Sequence, residues 1–424
     1  MGKIIAWVWL TVIALLTLGF SCRADQPVRI GLVENQTEIR FEVTNGYQLL
    51  NLGCETPQPL AEPGDLVSIT YSDETYFVND IPVGAGPLAL TADSNVLAYN
   101  NRTYRGDFLI TVQNRKLTLI NRLMMEEYLR GVVPREVSPS WEMASLKAQA
   151  IAARTYTIAS LNRHGATNYD LCATTHCQVY GGATAEHPNT DRAVAETAGQ
   201  IVTYNNKVIS AFYFDSSGGY TSDVADVWGA SIPYLKPVPD WDFKSPKAQW
   251  TKTFNWPEFQ VIIAKSYPKI GALQQILPVA FGREGRVMKL LLKGAFGETT
   301  VNAEQFRYNT GLLSSNFQLA VIYGPEPCLT LWWAHRSVYP EVLTANTDVP
   351  GLAADVLNPP WDNPDPWEWL RDKEPVKVVI KGSGWGHGVG LSQEGAKTMA
   401  EAGYNERQIL EYFYPGAKVT QWGN

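Results

Sequence analysis

A glutamate beside a predicted helix start is the first candidate for chemistry. Glu136 lies in GVVPREVSPSW, residues 131–141, among valine, proline and tryptophan residues. A carboxyl group held among apolar side chains has its neutral form favoured, so it can donate a proton near neutral pH. The alternative is a solvated turn residue paired with Arg135. Residue type alone leaves both interpretations open.

Soft metal ligands are concentrated in HGATNYDLCATTHCQVYGG, residues 164–182. Three or four such ligands on a short loop suit tetrahedral zinc. Because adjacent side chains diverge in an extended loop, we expect His164, Cys172 and Cys177 to hold the ion. His176 is the alternative ligand. In an oxidising compartment the two cysteines would instead form a small-loop disulfide, so zinc and disulfide both stay open.

Two further segments carry polar side chains on glycine-rich loops. In GSGWGHGVGLSQEGA, residues 382–396, alternating glycines let the backbone approach a ligand, and His387 and Gln393 can donate hydrogen bonds to a saccharide. The segment lacks the Lys-Ser/Thr ending of a phosphate loop and the glycine spacing of a dinucleotide site. Ser216 and Ser217 are similar candidates, but neither lies in the G-x-S-x-G motif of serine hydrolases. A tight structural loop is the alternative for both segments.

The elements that must position these residues begin with strands. Residues 25–116 alternate apolar and polar residues, and they predict a β-rich N-terminal domain with a packing or positioning role. Hairpin turns are predicted at Asn45-Gly46 and at Asn114-Arg115. A mixed α/β region follows, so the expected fold class is α+β.

The character of the sequence changes at residue 126, and helices are predicted beyond it. Ser138 and Pro139 predict the start of a helix that Gly165 ends. Small residues recur along it and would let it lie close to a neighbour: Ala144, Ala148, Ala152 and Ala159. Two further helices are predicted, over 191–198 and in WPEFQVIIAKSY, and two further hairpins, at Asn205-Asn206 and after RVMKLLLKG. The C-terminal segment predicts a strand, a glycine loop and two short helices. The second of these helices has a capping box formed by Asn405 and Gln408.

Composition excludes several classes of protein. The chain has 424 residues, of which 45% are hydrophobic and 18% charged, which excludes a disordered protein. Its net charge of −7 argues against general nucleic-acid binding. Five cysteines are too few for a disulfide scaffold. The 14 tryptophans and 20 tyrosines include the flat amphipathic rings that hold sugars, although most should be core.

The N-terminus indicates export. Residues 1–24 place one lysine before an uncharged run that ends at Phe20, the layout of a secretory signal. An uncleaved membrane anchor is the alternative. Cys22 makes lipid attachment a further alternative, although the preceding residues, Gly19-Phe20-Ser21, match a lipobox poorly. We expect the working part outside the cytoplasm, in the periplasm or cell envelope. Residues 340–375 carry seven prolines and predict a long surface insertion.

Five stretches, in order, resemble the stage II sporulation protein D / LytB (SpoIID/LytB) family of bacterial cell-wall proteins. They are EEYLRGVVPREVSPSWEMASLKAQAIAARTYT, CATTHCQVYGG, SAFYFDSSGGYTS, VNAEQFRYNTGLLSS and GSGWGHGVGLSQEGAKTMAEAGY. The resemblance spans roughly residues 117–420 and implies a SpoIID/LytB-like catalytic domain over 117–424, with 340–375 inserted.

The resemblance implies a peptidoglycan lytic transglycosylase. Such enzymes cleave the β-1,4 bond between N-acetylmuramic acid and N-acetylglucosamine and leave 1,6-anhydromuramyl ends, here on strands stripped of stem peptides. The family's catalytic glutamate falls on Glu136. Its zinc-binding loop falls on the segment of Cys172 and Cys177, with an upstream histidine, and that metal looks structural. Implied partners are glycan strands, an amidase, and membrane-bound division or sporulation-type proteins; nucleic acid is not expected.

An oxocarbenium-like transition state needs polar groups around it. The candidates are Arg154, Gln149, Ser216, Ser217, His387 and Gln393. Arg154 has an alternative role as a buried ion-pair partner. The main alternative function is a non-catalytic cell-wall binding protein that enhances an amidase. Metal-dependent hydrolysis at the Cys/His loop is disfavoured, because the loop lacks an open-site ligand set such as two histidines and a carboxylate.

Overall fold

The computed structural model describes residues 27–42, 47–53, 66–282, 284–324, 329–333 and 374–423. The predicted signal or anchor lies outside these residues, and so does the proline-rich stretch up to residue 373. Among the residues described, no helix is both long and apolar enough to cross a membrane. The chain divides into two compact units, of which the second consists of Phe212–Tyr404 and Glu411–Gly416 and the first of the remainder. The boundary predicted at residues 116 and 117 falls inside the first unit.

Strands dominate the N-terminal region, as predicted, and the fold is α+β. The strands up to residue 208 are β1 Pro27–Gln36, β2 Glu38–Glu42, β3 Tyr47–Asn51, β4 Leu66–Ser72, β5 Thr75–Val78, β6 Ile81–Gly84, β7 Leu88–Ala92, β8 Val96–Tyr99, β9 Arg102–Arg105, β10 Asp107–Gln113, β11 Lys116–Met124, β12 Leu171–Cys172, β13 Gln200–Tyr204 and β14 Lys207–Val208. The later strands are β15 Tyr213–Phe214, β16 Trp250–Asn255, β17 Leu273–Phe281, β18 Val287–Gly294, β19 Gly297–Asn302, β20 Phe317–Gly324, β21 Leu329–Trp333, β22 Glu374–Gly382, β23 Leu391–Ser392 and β24 Lys418–Gln421.

The first unit is built on a sheet in the order β12-β1-β11-β10-β7-β3. A second sheet has the order β2-β4-β5-β6, β8 pairs with β9, and a C-terminal sheet has the order β14-β13-β24. Residues 117–121 of β11 are all buried, so both faces of this strand are covered, and Val28 and Ile30 of β1 are also fully buried. The short parallel strand β12 joins the edge of this sheet through β1, which fixes the chain that carries Cys172.

Two of the hairpins predicted in the first unit are confirmed. Asn114-Arg115 and Asn205-Asn206 have φ between 49° and 59°, as type I′ turns require, and they join β10 to β11 and β13 to β14. The turn predicted at Asn45-Gly46 lies outside the described residues, but the strands on either side of it do not pair with each other. Strand β2 pairs with β4, and β3 pairs with β7 in another sheet. Alternation identified both strands, but their partners depend on which face each strand buries.

The helices are α1 Met125–Glu136, α2 Met143–Ala159, α3 Pro188–Glu196, α4 Val224–Trp228, α5 Trp256–Ser266, α6 Ala303–Thr310, α7 Gln393–Glu401 and α8 Glu406–Phe413. Helix α2 is shorter than the predicted Pro139–Gly165 helix. The Ser138 hydroxyl lies 2.9 Å from that of Ser140, and does not cap the helix. Ala148 and Ala152 of the predicted small-residue face are completely buried, whereas Ala159 is exposed.

The second unit contains the sheets β16-β22-β20-β21 and β17-β18-β19 and the parallel pair β15-β23. Its core includes Phe259, Leu290 and Phe306, all fully buried. The helix in WPEFQVIIAKSY and the hairpin after RVMKLLLKG are confirmed as α5 and β18–β19. The C-terminal capping box is also confirmed, because Asn405 and Gln408 exchange two backbone-to-side-chain hydrogen bonds of 3.0 Å.

Candidate functional site

Glu136 is the last residue of α1 and is half-buried. As predicted, Glu136 lies upstream of a helix, α2, which begins at Met143, but the helix that ends at Glu136 was not predicted. Its Oε1 accepts a hydrogen bond of 2.9 Å from the backbone N–H of Val179, which lies 43 residues further along the chain. A bond from so distant a segment sets the direction of the carboxylate.

The segment 177–182 lies against α1 and brings Val179 to Glu136. Its Gly181 N–H donates to the carbonyl of Gly131, at 3.0 Å. A Cβ atom on Gly131 would lie 2.5 Å from the ring of Tyr180, so the helix needs a glycine at this position.

A network of buried polar side chains also holds segment 177–182 in place. Gln178 donates its Nε2 hydrogens to the Tyr128 hydroxyl, at 3.2 Å, and to Thr157 Oγ1, at 2.9 Å. Burial raises the pKa of Tyr128 well above its ordinary value, so the phenol stays neutral. The network joins the segment to α1 and to α2, and no spacing in the sequence indicated it.

The four predicted metal ligands converge beside this segment. The ligand atoms of His164, Cys172, His176 and Cys177 all lie within 4.8 Å of one another. Cys177 Sγ is 3.3 Å from His164 Nε2 and 3.5 Å from His176 Nδ1, which is 3.6 Å from Cys172 Sγ. A zinc tetrahedron with bonds of about 2.0–2.3 Å has edges of roughly 3.3–3.8 Å, so these distances fit zinc. The cysteines are not joined by a disulfide, and His176 belongs to the cluster with the three ligands predicted first.

Arg154 serves the alternative role that the sequence left open. Its guanidinium is completely buried under α1 and donates to Glu126 Oε1 and Oε2, at 2.8 and 2.6 Å. It also donates to the carbonyls of Gln200 and Val194. A wholly buried group with these partners positions α1 and does not contact a substrate, which corrects its proposed substrate-binding role. Gln149, on α2, is 1% exposed.

Ser216 and Ser217 are fully buried in the second unit. The Ser216 hydroxyl donates to Asp242 Oδ2, at 2.6 Å, and the Ser217 N–H donates to Asp240 Oδ2, at 3.3 Å. Burial and the neighbouring Asp242 raise the pKa of Asp240 to about 6. The two serines therefore hold a carboxylate-rich turn, in agreement with the structural alternative. The aspartates were missed because their contacts depend on the fold.

His387 packs against Trp228 and Phe214, with ring centroids 5.0 and 5.5 Å away. Its Nδ1 accepts the Val389 N–H at 3.1 Å, so Nε2 carries the proton of the neutral ring. Burial lowers the pKa of His387 to about 4, which keeps the ring neutral at physiological pH. Gln393 begins α7 and is 6% exposed.

The predicted site residues are divided between the two units. The first holds Glu136, Gln149, Arg154 and the four metal-type ligands, and the second holds Ser216, Ser217, His387 and Gln393. Within the first unit, Cys177 lies two residues before Val179, so the ligand cluster and Glu136 share one short segment.

Comparisons with known proteins show what the chain is similar to. A family model described as "Stage II sporulation protein" (SpoIID) matches residues 113–204. The chain is 30% identical over 295 residues to the amidase enhancer of Bacillus subtilis, and the match covers 69% of this chain but only 40% of that protein. It is 30% identical to stage II sporulation protein D of Bacillus amyloliquefaciens and 29% to that of B. subtilis, and these matches each cover 71% of this chain and 76% of the relative.

Proposed function

Because the chain belongs to the SpoIID/LytB family of cell-wall proteins, we propose that it is an exported peptidoglycan lytic transglycosylase acting on strands without stem peptides. The observation that carries the proposal is the half-buried Glu136 carboxyl group, held by the Val179 N–H. Export rests on the predicted N-terminal signal or anchor.

Glu136 acts as the general acid and then the general base. The carboxyl group protonates the glycosidic oxygen between N-acetylmuramic acid and N-acetylglucosamine, and the bond from that oxygen to C1 breaks. The muramyl 6-hydroxyl then bonds to C1 and returns its proton to the carboxylate. One carboxyl group suffices because the 6-hydroxyl replaces the water that an ordinary glycosidase must activate with a second group.

Two features of the structure act on the charge of the Glu136 carboxyl group. Its place at the carboxyl end of α1 puts it near the negative end of the helix dipole, which disfavours a carboxylate. The hydrogen bond from Val179 favours the carboxylate. The two effects oppose each other.

A structural zinc ion is part of the proposal. The cluster of His164, Cys172, His176 and Cys177 supplies four ligands, and four protein ligands fill a tetrahedral ion. Such a site leaves no position for a reacting water, so the ion would supply rigidity. It would hold Cys177, and through it the segment that presents the Val179 N–H to Glu136.

The match to an amidase enhancer supports a second candidate, a cell-wall binding protein that stimulates an amidase without cleaving glycan. Such a protein would not need the acid function of Glu136. The two candidates therefore differ in what replacement of that residue does.

Glu136→Gln tests the choice. We expect it to reduce release of anhydro-muramyl products from amidase-treated peptidoglycan by about 10²–10⁴-fold, because an amide is far too weak an acid to protonate the glycosidic oxygen. Mass spectrometry identifies the products. Glu142→Gln, at an exposed glutamate six residues on, is the matched control and should cleave like the wild type. Equal turnover by the Glu136 variant, or reducing sugar ends from the wild type, would overturn the transglycosylase assignment.

A further inference from the structure

An exposed tryptophan lies on the most constrained loop of the second unit. The Trp385 side chain is 40% exposed, although its loop is pinned to neighbouring segments. Burying an indole is favourable, so a fixed and exposed one leaves that free energy available for a ligand. The groups that surround the ring decide which ligand it suits.

The backbone of Trp385 cannot move easily. It exchanges two hydrogen bonds with Ser216, at 2.7 and 3.1 Å. Gly384 and Gly386 on either side have φ of +73° and +107°. A Cβ atom on Gly384 would lie 2.4 Å from the Ser216 carbonyl oxygen, and one on Gly386 would lie 2.8 Å from Phe214 Cβ. The indole is therefore held in place before any ligand arrives, which lowers the entropic cost of binding.

Two charged groups stand beside the ring. Lys247 Nζ lies 3.7 Å from the centre of the indole and donates to Asp215 Oδ2, at 2.8 Å. The Gly384 N–H donates to the Lys247 carbonyl, at 3.0 Å, so the lysine and the tryptophan loop are joined. Asp215 Oδ1 is buried and accepts no hydrogen bond from the part of the chain that the structure describes. An aromatic surface thus adjoins a cation and an acceptor that lacks a donor.

We propose that Trp385, Lys247 and Asp215 form a saccharide-binding site for an N-acetylmuramyl residue whose lactyl carboxylate is free. The sugar's apolar face packs on the exposed indole surface, and its carboxylate is attracted by Lys247, which Asp215 holds beside the ring. A stem peptide would turn that carboxylate into a neutral amide and remove the attraction. The site would therefore select strands without peptides. The proposal rests on the proposed function only for its class of ligand.

Binding is tested in Glu136→Gln protein, which is expected not to consume the ligand. The probes are peptide-free glycan strands and chitin oligosaccharides, which have the acetamido sugar but no lactyl carboxylate. Adding Trp385→Ala should weaken binding of both probes by about tenfold, and Trp385→Phe by less, because it keeps a flat ring. Adding Lys247→Met should weaken binding of peptide-free strands by about threefold to fivefold and leave chitin oligosaccharides unchanged.

The controls replace an exposed aromatic and an exposed lysine elsewhere in the second unit, Tyr308→Ala and Lys269→Met, and should bind like the parent. Unchanged binding by a folded Trp385→Ala protein, or equal weakening of both probes by Lys247→Met, would overturn the proposal. If the wild type releases no anhydro product but binding still depends on Trp385, the transglycosylase assignment fails and this site stands. If the wild type cleaves and Trp385→Ala binds normally, the transglycosylase assignment stands and this binding site fails.

Discussion

Arg154 and Glu136 show how differently two charged residues are used within one unit. The Arg154 guanidinium is completely buried and paired with Glu126 at the start of α1, whereas Glu136 ends the same helix half-buried. The first fixes the helix, and the second is presented at its end. Sequence position alone suggested a chemical role for both.

Replacing Arg154 is expected to act on stability. Arg154→Met leaves Glu126 with only the Gly199 N–H and removes the donors to two backbone carbonyls, so we expect it to lower the free energy of unfolding by about 2–3 kcal/mol. Urea denaturation measures it. The control is Arg192→Met, which removes an exposed pair with Glu196 and should change stability by less than about 0.5 kcal/mol. Equal effects of the two substitutions would contradict the positioning role.

At the scale of single residues, the sequence identified the groups that lie close together along the chain. His164, Cys172, His176 and Cys177 were found because they lie within one loop, and the structure brings all four together. The Val179 N–H on Glu136 and the charged groups beside Trp385 were not found. They act through contacts with segments 32 or more residues away, which no short motif contains.

Among the elements, α1 shows where local signals mislead. It contains Gly131 and Pro134, which normally end helices, and it was not predicted. It forms because Tyr128, Leu129 and Val132 are buried against the rest of the unit, so packing outweighs propensity. The hairpins at Asn114-Arg115 and Asn205-Asn206 were predicted correctly because their turns depend on the turn residues themselves.

The glycine loop gives a prediction at this scale. Gly386→Ala combines a positive φ with a Cβ atom 2.8 Å from Phe214, and we expect it to destabilise the protein by about 2–3 kcal/mol in urea denaturation. Gly403 also has a positive φ, +91°, but open space around its Cβ position, so Gly403→Ala should lose less. If both variants lose the same free energy of unfolding, the close approach of the loop to Phe214 has no energetic importance.

Considered as a whole molecule, the chain places all four metal-type ligands in one of its two compact units. Zinc removal should therefore have a local effect. After chelation we expect faster amide exchange in residues 164–182 and at the end of α1, and unchanged exchange in the β17–β19 sheet, because the second unit contains none of the four ligands.

Metal analysis completes this test. The wild type should contain one zinc ion per chain, Cys177→Ser should contain much less, and adding zinc back to the chelated wild type should restore slow exchange. Metal-free wild-type protein in which Cys172 and Cys177 are joined by a disulfide would contradict the zinc proposal.

The strand β24 has a consequence for how the protein is made. It completes the β14-β13-β24 sheet of the first unit, although more than 200 residues separate it from β13. A nascent chain emerging from the ribosome therefore cannot close that sheet until the residues around Thr420 have been translated. The first unit therefore cannot complete this sheet until β24 has left the ribosome, and the second unit likewise needs its segment Glu411–Gly416.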